Sequence, residues 1–143
     1  MIEEELEKSR TFILEVRSQS MLPLIRPRDL IRVKRLPWPQ LCCGDIVVFR
    51  SDQEIFTHRL ISKKTNSQTI SFIAKGDNCF VADRPVMEKD YLGKVISLQR
   101  DKRTVRFDRK FMIELNRVIG LISFWEAELY GFLRKVKRSS FKN

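Results

Sequence analysis

The sequence is short of several things, and each shortage removes a class of protein. A single histidine, His58, and three cysteines, Cys42, Cys43 and Cys79, stand in 143 residues. One histidine leaves a zinc centre few ligands to draw on, and the cysteine spacing matches no zinc motif. An odd cysteine count with two of them adjacent is also a poor disulfide framework, so the thiols suit a reducing compartment and read as small buried hydrophobes. Long apolar runs are missing too. No stretch reaches the roughly 18 apolar residues that cross a bilayer. The nearest, 111–132, is interrupted by Glu114, Asn116, Arg117, Glu126 and Glu128. The N-terminus is acidic, with Glu3, Glu4, Glu5 and Glu7, and lacks the apolar centre of a secretory signal. The expectation is a cytoplasmic chain, or one peripheral at a membrane, with no metal and no cofactor. No repeat or low-complexity segment is visible.

What is present describes one globular domain: 43% hydrophobic and 32% charged residues are enough apolar material for a core and too much for disorder. The net charge of +10 is uneven. Positive charge collects at 100–110 and in the tail, where Arg134, Lys135, Lys137, Arg138 and Lys142 face no acid. Such an excess serves either as a solubilising face or as a contact for anionic partners, a phospholipid surface or nucleic acid.

Residues 3–10 suit a short charged helix or a frayed end. From Thr11, Phe12, Leu14 and Val16 alternate with Thr11, Ile13, Glu15 and Arg17, the period of a half-buried strand. A second strand at 30–33 ends at Pro37-Trp38-Pro39, because proline lacks the ladder N–H. Gly44-Asp45 turns the chain into the wholly apolar Ile46-Val47-Val48-Phe49, a buried strand. With 54–61 and 69–74 it forms an antiparallel meander. Gly76-Asp77-Asn78 is a turn, 79–91 reads as a loop, and 94–99 with 104–107 as a hairpin about Asp101-Lys102. Residues 110–136 form the one convincing helix, with Phe111, Leu115, Val118, Ile119, Ile122, Trp125, Leu129, Phe132, Leu133 and Val136 at helical spacing.

Ser20 lies where a strand meets a proline-directed turn, where serine commonly caps backbone groups. In an extended chain residues two apart face the same side. The Ser18 and Ser20 hydroxyls would then share a pocket, one to attack and the other to steady an oxyanion with a backbone N–H near Ser20. Strand alternation sets His58 on one face with Glu54, Phe56 and Leu60. A serine hydroxyl is a weak nucleophile and needs a base, and no other histidine exists to supply one. Asp77 and Asp83, downstream, are both placed to orient the imidazole. Asp77 equally suits its turn, and Asp83 equally suits a surface pair with Arg84.

Ser18-Gln19-Ser20-Met21-Leu22-Pro23, Gly44-Asp45-Ile46-Val47-Val48-Phe49, Thr57-His58-Arg59-Leu60, Lys75-Gly76-Asp77-Asn78 and Asp83-Arg84 follow one another in the order found in signal peptidase I. Over residues 11–98 the chain resembles that family. It looks most like the endoplasmic-reticulum and archaeal type, which uses Ser/His/Asp in place of the bacterial Ser/Lys dyad. The repressor-type peptidases are related. The resemblance implies a mainly β, signal peptidase/repressor-peptidase-like fold of antiparallel strands. It also implies Ser20 as nucleophile, His58 as base, Asp83 as the functional acid and Asp77 as a supporting residue. Ser18 matches the oxyanion-hole position of the bacterial branch, where it would act with Ser20. Three departures stand out. Gln19 occupies a position usually small or polar, Arg28-Asp29 stands for the usual Gly-Asp, and no membrane-spanning anchor is seen.

The expected plan is a catalytic β domain over 1–109 and an amphipathic helix with a basic tail over 110–143. The implied activity is that of a serine endopeptidase, cleaving an extended leader or signal-like segment of a precursor peptide or protein after small residues. The alternative is a non-catalytic or regulatory module on the same scaffold that binds a peptide, a membrane surface or nucleic acid. Repressor-type peptidases carry a DNA-binding helical domain, and only 19 residues precede Ser20, so nucleic acid is not the expected partner. The helix either lies on an anionic membrane surface, Trp and Phe in lipid and Arg and Lys on head groups, or packs on the β domain or a partner. Packing is the favoured expectation.

Overall fold

Strand β3 (Ile46–Ser51) explains the layout. A strand with one wet face alternates, whereas Ile46, Val47, Val48 and Phe49 are all buried, so both faces must be covered. Ile46 and Val48 join a first cluster with Phe12, Ile31, Val33, Val95 and Leu98. Val47 and Phe49 join a second with Trp38, Leu60, Phe72 and Tyr91. In that second cluster Trp38 stacks on Phe72 at 5.3 Å and Phe72 meets Phe49 edge-on at 5.7 Å. Each buried aromatic ring of this kind contributes about 1.5–3 kcal/mol of transfer free energy.

The computed structural model describes residues 11–140. The expected helix or frayed end at 3–10, and Lys142 of the tail, lie outside them. Around β3 the chain lays down β1 (Thr11–Glu15), β2 (Leu30–Lys34), β4 (Glu54–Thr65), β5 (Ile70–Lys75), β6 (Val86–Met87), β7 (Tyr91–Arg100) and β8 (Arg103–Arg106), then the helix α1 (Lys110–Ser140). The strands form an eight-stranded sheet in the order β1-β2-β7-β3-β4-β5-β6, with β8 attached to β7. Every pairing is antiparallel. The architecture is thus mainly β with a C-terminal helix, and β3, β4 and β5 are the expected meander.

Three local expectations change. The segment 79–91 is not all loop, since Val86–Met87 pairs with β5 through Phe72 and Ser71; two residues are too few to show a period. Strand β4 continues past Ile61 to Thr65 because Lys63 and Lys64 pair with Phe72 and Ser71. The cysteines are not buried hydrophobes: Cys42 and Cys43 are exposed and Cys79 is half-buried, all as free thiols. Cys42 contributes its backbone to the fold, its N–H donating to Asp45 Oδ2 at 2.9 Å in the turn before β3.

Helix α1 packs on the body through Met112, which meets the first core cluster, and then through small and polar residues. Asn116, Gly120 and Ser123 are buried, one helical turn apart. Gly120 lies so close to the Gly44 turn that a Cβ there would stand 2.7 Å from Gly44 Cα. The apolar stripe points elsewhere: Val118, Ile122, Trp125, Leu129 and Phe132 are between 52% and 70% exposed. The helix is tied to the β domain, but not by the face that periodicity selects.

Candidate active site

Residues 16–29 leave β1 and return as β2, and Ser20 begins a helical turn in which Ile25 N–H donates to Met21 O at 3.0 Å. Met21 and Ile25 anchor that turn in the first core cluster, leaving Ser20 half-buried at the surface. The turn after β5 clamps it from the other side. Asn78 N–H donates to Ser20 O at 2.8 Å, and Asn78 Nδ2 donates to Gln19 O at 3.2 Å. Gly76 is required in this contact, because a Cβ would fall 2.7 Å from Ser20 O and 2.8 Å from Cys79 Sγ.

The Ser18 and Ser20 hydroxyls are 3.0 Å apart and hydrogen-bonded. The two-residue spacing therefore does bring them to one place, even though the chain has left β1 by Ser18.

His58 sits in β4 opposite Val47. Its ring is 6.0 Å from that of Phe49 and 5.7 Å from that of Phe56, and the residue is only 5% exposed. Its Nδ1 lies 2.6 Å from Asp83 Oδ2. A carboxylate can only accept, so Nδ1 carries the proton and donates it, which leaves the Nε2 lone pair free to act as a base. Asp83 is held in place by its own N–H, which donates to Ala74 O at 2.8 Å. Ala74 in turn pairs with Leu60 on His58's strand. No hydrogen bond joins Ser20 to His58 among the described residues.

Asp77 has a different partner. Its two carboxylate oxygens accept from Arg59 Nε at 2.7 Å and Arg59 Nη2 at 2.6 Å, a bidentate pair. Arg59 is wholly buried, and its Nη1 donates to Gly44 O and to Asn116 Oδ1, both at 2.8 Å. Beside it Lys75, also wholly buried, donates to Glu126 Oε2 and to Gly76 O, each at 3.3 Å. These buried cations are missing from the sequence reading, because a basic residue in a strand ordinarily marks a wet face. Arg59 and Lys75 stand out in the sequence only as members of their boxes.

A groove of about 600 Å³ runs between β1 and the β3–β4 hairpin to Ser18, lined by Leu14, Val16, Ile31, Ile55 and Thr57 among others. Strand β1 pairs with β2 alone among the described strands, and its residues Leu14 and Glu15, with Val16 just after them, line this groove. Near the site burial pushes the Cys79 thiol up, with the Asp83 charge adding to the effect. Cys79 is therefore held protonated and is a poor nucleophile. No cluster of metal-ligating side chains is present among the described residues.

The sequence model of one family, described as Peptidase S24-like, matches residues 1–96. The span contains Ser18, Ser20, His58, Asp77 and Asp83. A comparison with curated proteins finds no match.

Proposed function

Because the chain belongs to the Peptidase S24-like family, we propose that it is a serine endopeptidase in which Ser20 attacks, His58 takes the proton and Asp83 orients the imidazole. The observation that carries this reading is the 2.6 Å bond from His58 Nδ1 to Asp83, which fixes the tautomer a general base needs. For attack the Ser20 hydroxyl exchanges its Ser18 partner for His58 Nε2, a contact that commonly forms only with substrate bound. Ser18, released, donates to the oxyanion. Asp77 acts through Arg59 as a support for the strand that bears His58.

The groove along β1 supports an extended substrate, since a peptide can lie along a strand and seat alternate side chains in the cleft. The substrate class that fits is a leader or signal-like segment of a precursor, cut after small residues. The test is covalent labelling by a fluorophosphonate probe, followed by hydrolysis of a fluorogenic peptide library. Ser20→Ala is expected to abolish both, and Asp83→Asn to slow both on the order of 10³–10⁴-fold. Ser18→Ala should lose about 10²-fold. Labelling that survives in Ser20→Ala overturns the assignment. A folded protein that neither labels nor hydrolyses favours the non-catalytic, peptide-binding alternative.

A further inference from the structure

Val118, Ile122, Trp125 and Leu129 on the apolar stripe of α1 are more than half exposed among the described residues, although helices of this length hold together in water mainly by burying such a face. At about 100° per residue, Leu115, Val118, Ile122, Trp125 and Leu129 lie on the side of the helix opposite Asn116, Gly120 and Ser123, which meet the body. Beyond Gly131 every described side chain is exposed, so the last turns leave the β domain behind. There Phe132 and Leu133 continue the stripe, while Arg134, Lys135, Lys137 and Arg138 supply four cations. On the same angular count Lys135 and Lys137 fall at its two borders, from which long side chains can reach head groups while their stems lie on apolar surface.

We propose that this face of α1 docks the protein on an anionic lipid surface, the helix lying in the interface. Charge chooses the occupant. No acid follows Glu128 in the sequence. Of the three acids on the helix, Glu126 is occupied by Lys75 and Glu114 by Arg117, which leaves Glu128 against the basic residues that follow it. A second copy would bring the same positive excess to the contact, and nucleic acid would leave the apolar stripe in water. No helix among the described residues is long and apolar enough to cross a membrane, so the fit is to its surface. Phe80, 73% exposed, stacks on Tyr130 at 6.2 Å. The loop leading to Asp83 therefore touches the docking helix.

The inference does not depend on catalysis, and its test separates the two. The full chain is sedimented with phosphatidylcholine vesicles, with and without phosphatidylglycerol, while tryptophan emission is followed. Trp38 is buried and Trp125 is 70% exposed, so a blue shift on binding reports Trp125. The chain, and equally its Ser20→Ala variant, is expected to pellet with the anionic vesicles only and to shift blue. Lys135→Gln and Lys137→Gln should each weaken binding about fivefold, whereas Arg134→Gln and Arg138→Gln, on the side of the helix away from the stripe, should weaken it less. Leu129→Glu, on an exposed position, should abolish it with circular dichroism unchanged. No pelleting, or pelleting undiminished in Leu129→Glu, overturns the proposal. So does self-association that covers Trp125, or retention on duplex DNA, without vesicle binding.

Discussion

Arg28 carries the consequence of a shortage visible in the composition. With five glycines in the chain, several turns are made by residues with a Cβ, and Arg28, Asp52, Gln53 and Asp101 all adopt positive φ, between +49° and +75°. Arg28, at +75°, occupies the place where the resemblance leads one to expect Gly before Asp29. The left-handed region costs a residue with a Cβ about 1–2 kcal/mol, part of which glycine returns as flexibility in the unfolded chain. Arg28 N–H donates to Val16 O at 2.7 Å, and this bond survives substitution. Arg28→Gly is therefore expected to stabilise the protein by up to about 1 kcal/mol. A urea midpoint equal to or below that of the parent would refute it.

Among the elements, α1 shows where periodicity is a poor guide. Its apolar stripe was legible, and packing on the β domain or a partner was the favoured reading. The docked face is instead Asn116, Gly120 and Ser123, because the Gly44 turn admits only a near approach of backbones and Arg59 needs an oxygen. Neither demand leaves a mark on the hydrophobic pattern. The two glycines of α1, one buried against the body and one not, make this testable. Alanine is the better helix former by about 1 kcal/mol, and at Gly131 a Cβ meets nothing within 4 Å. At Gly120 it meets Gly44 backbone atoms at 2.7 and 2.8 Å. Gly131→Ala should therefore stabilise and Gly120→Ala destabilise, the latter by about 1–3 kcal/mol. Equal signs in chemical denaturation would show that α1 does not seat as described. Strand β3 is the opposite case: its unbroken apolar run announced two covered faces, and both are found.

For the whole molecule, acid stability depends on the link that closes the loop bearing Ser20. Asp29 accepts from Arg26 N–H at 2.8 Å and from Arg100 Nε at 2.8 Å. Burial alone would raise the Asp29 pKa, but the hydrogen bonds from Arg100 and Arg26, with their charges, outweigh it and hold it below the ordinary value. A carboxyl lowered in the folded state stabilises above its unfolded pKa of about 3.9 and loses that contribution as pH falls through the folded value. Asp29→Asn should therefore be less stable than the parent near pH 6, and the gap in urea midpoint should narrow below about pH 4. A gap constant with pH would assign Asp29 no such part.

The fold class and the residues of the candidate site were legible at this scale, because boxes in order constrain a whole chain more than any one of them does. What was not legible is how the chain handles charge inside. Arg59 and Lys75 are direct neighbours across β4 and β5, both fully buried. Their last partners come late: Asn116 is 57 residues after Arg59, and Glu126 is 51 after Lys75. At 5–20 residues per second a ribosome needs roughly 3–11 s to supply them. For that interval Arg59 has Asp77 but one of its N–H groups lacks the Asn116 oxygen, and Lys75 has no carboxylate at all, so the nascent sheet carries an unpaired cation until the helix is translated.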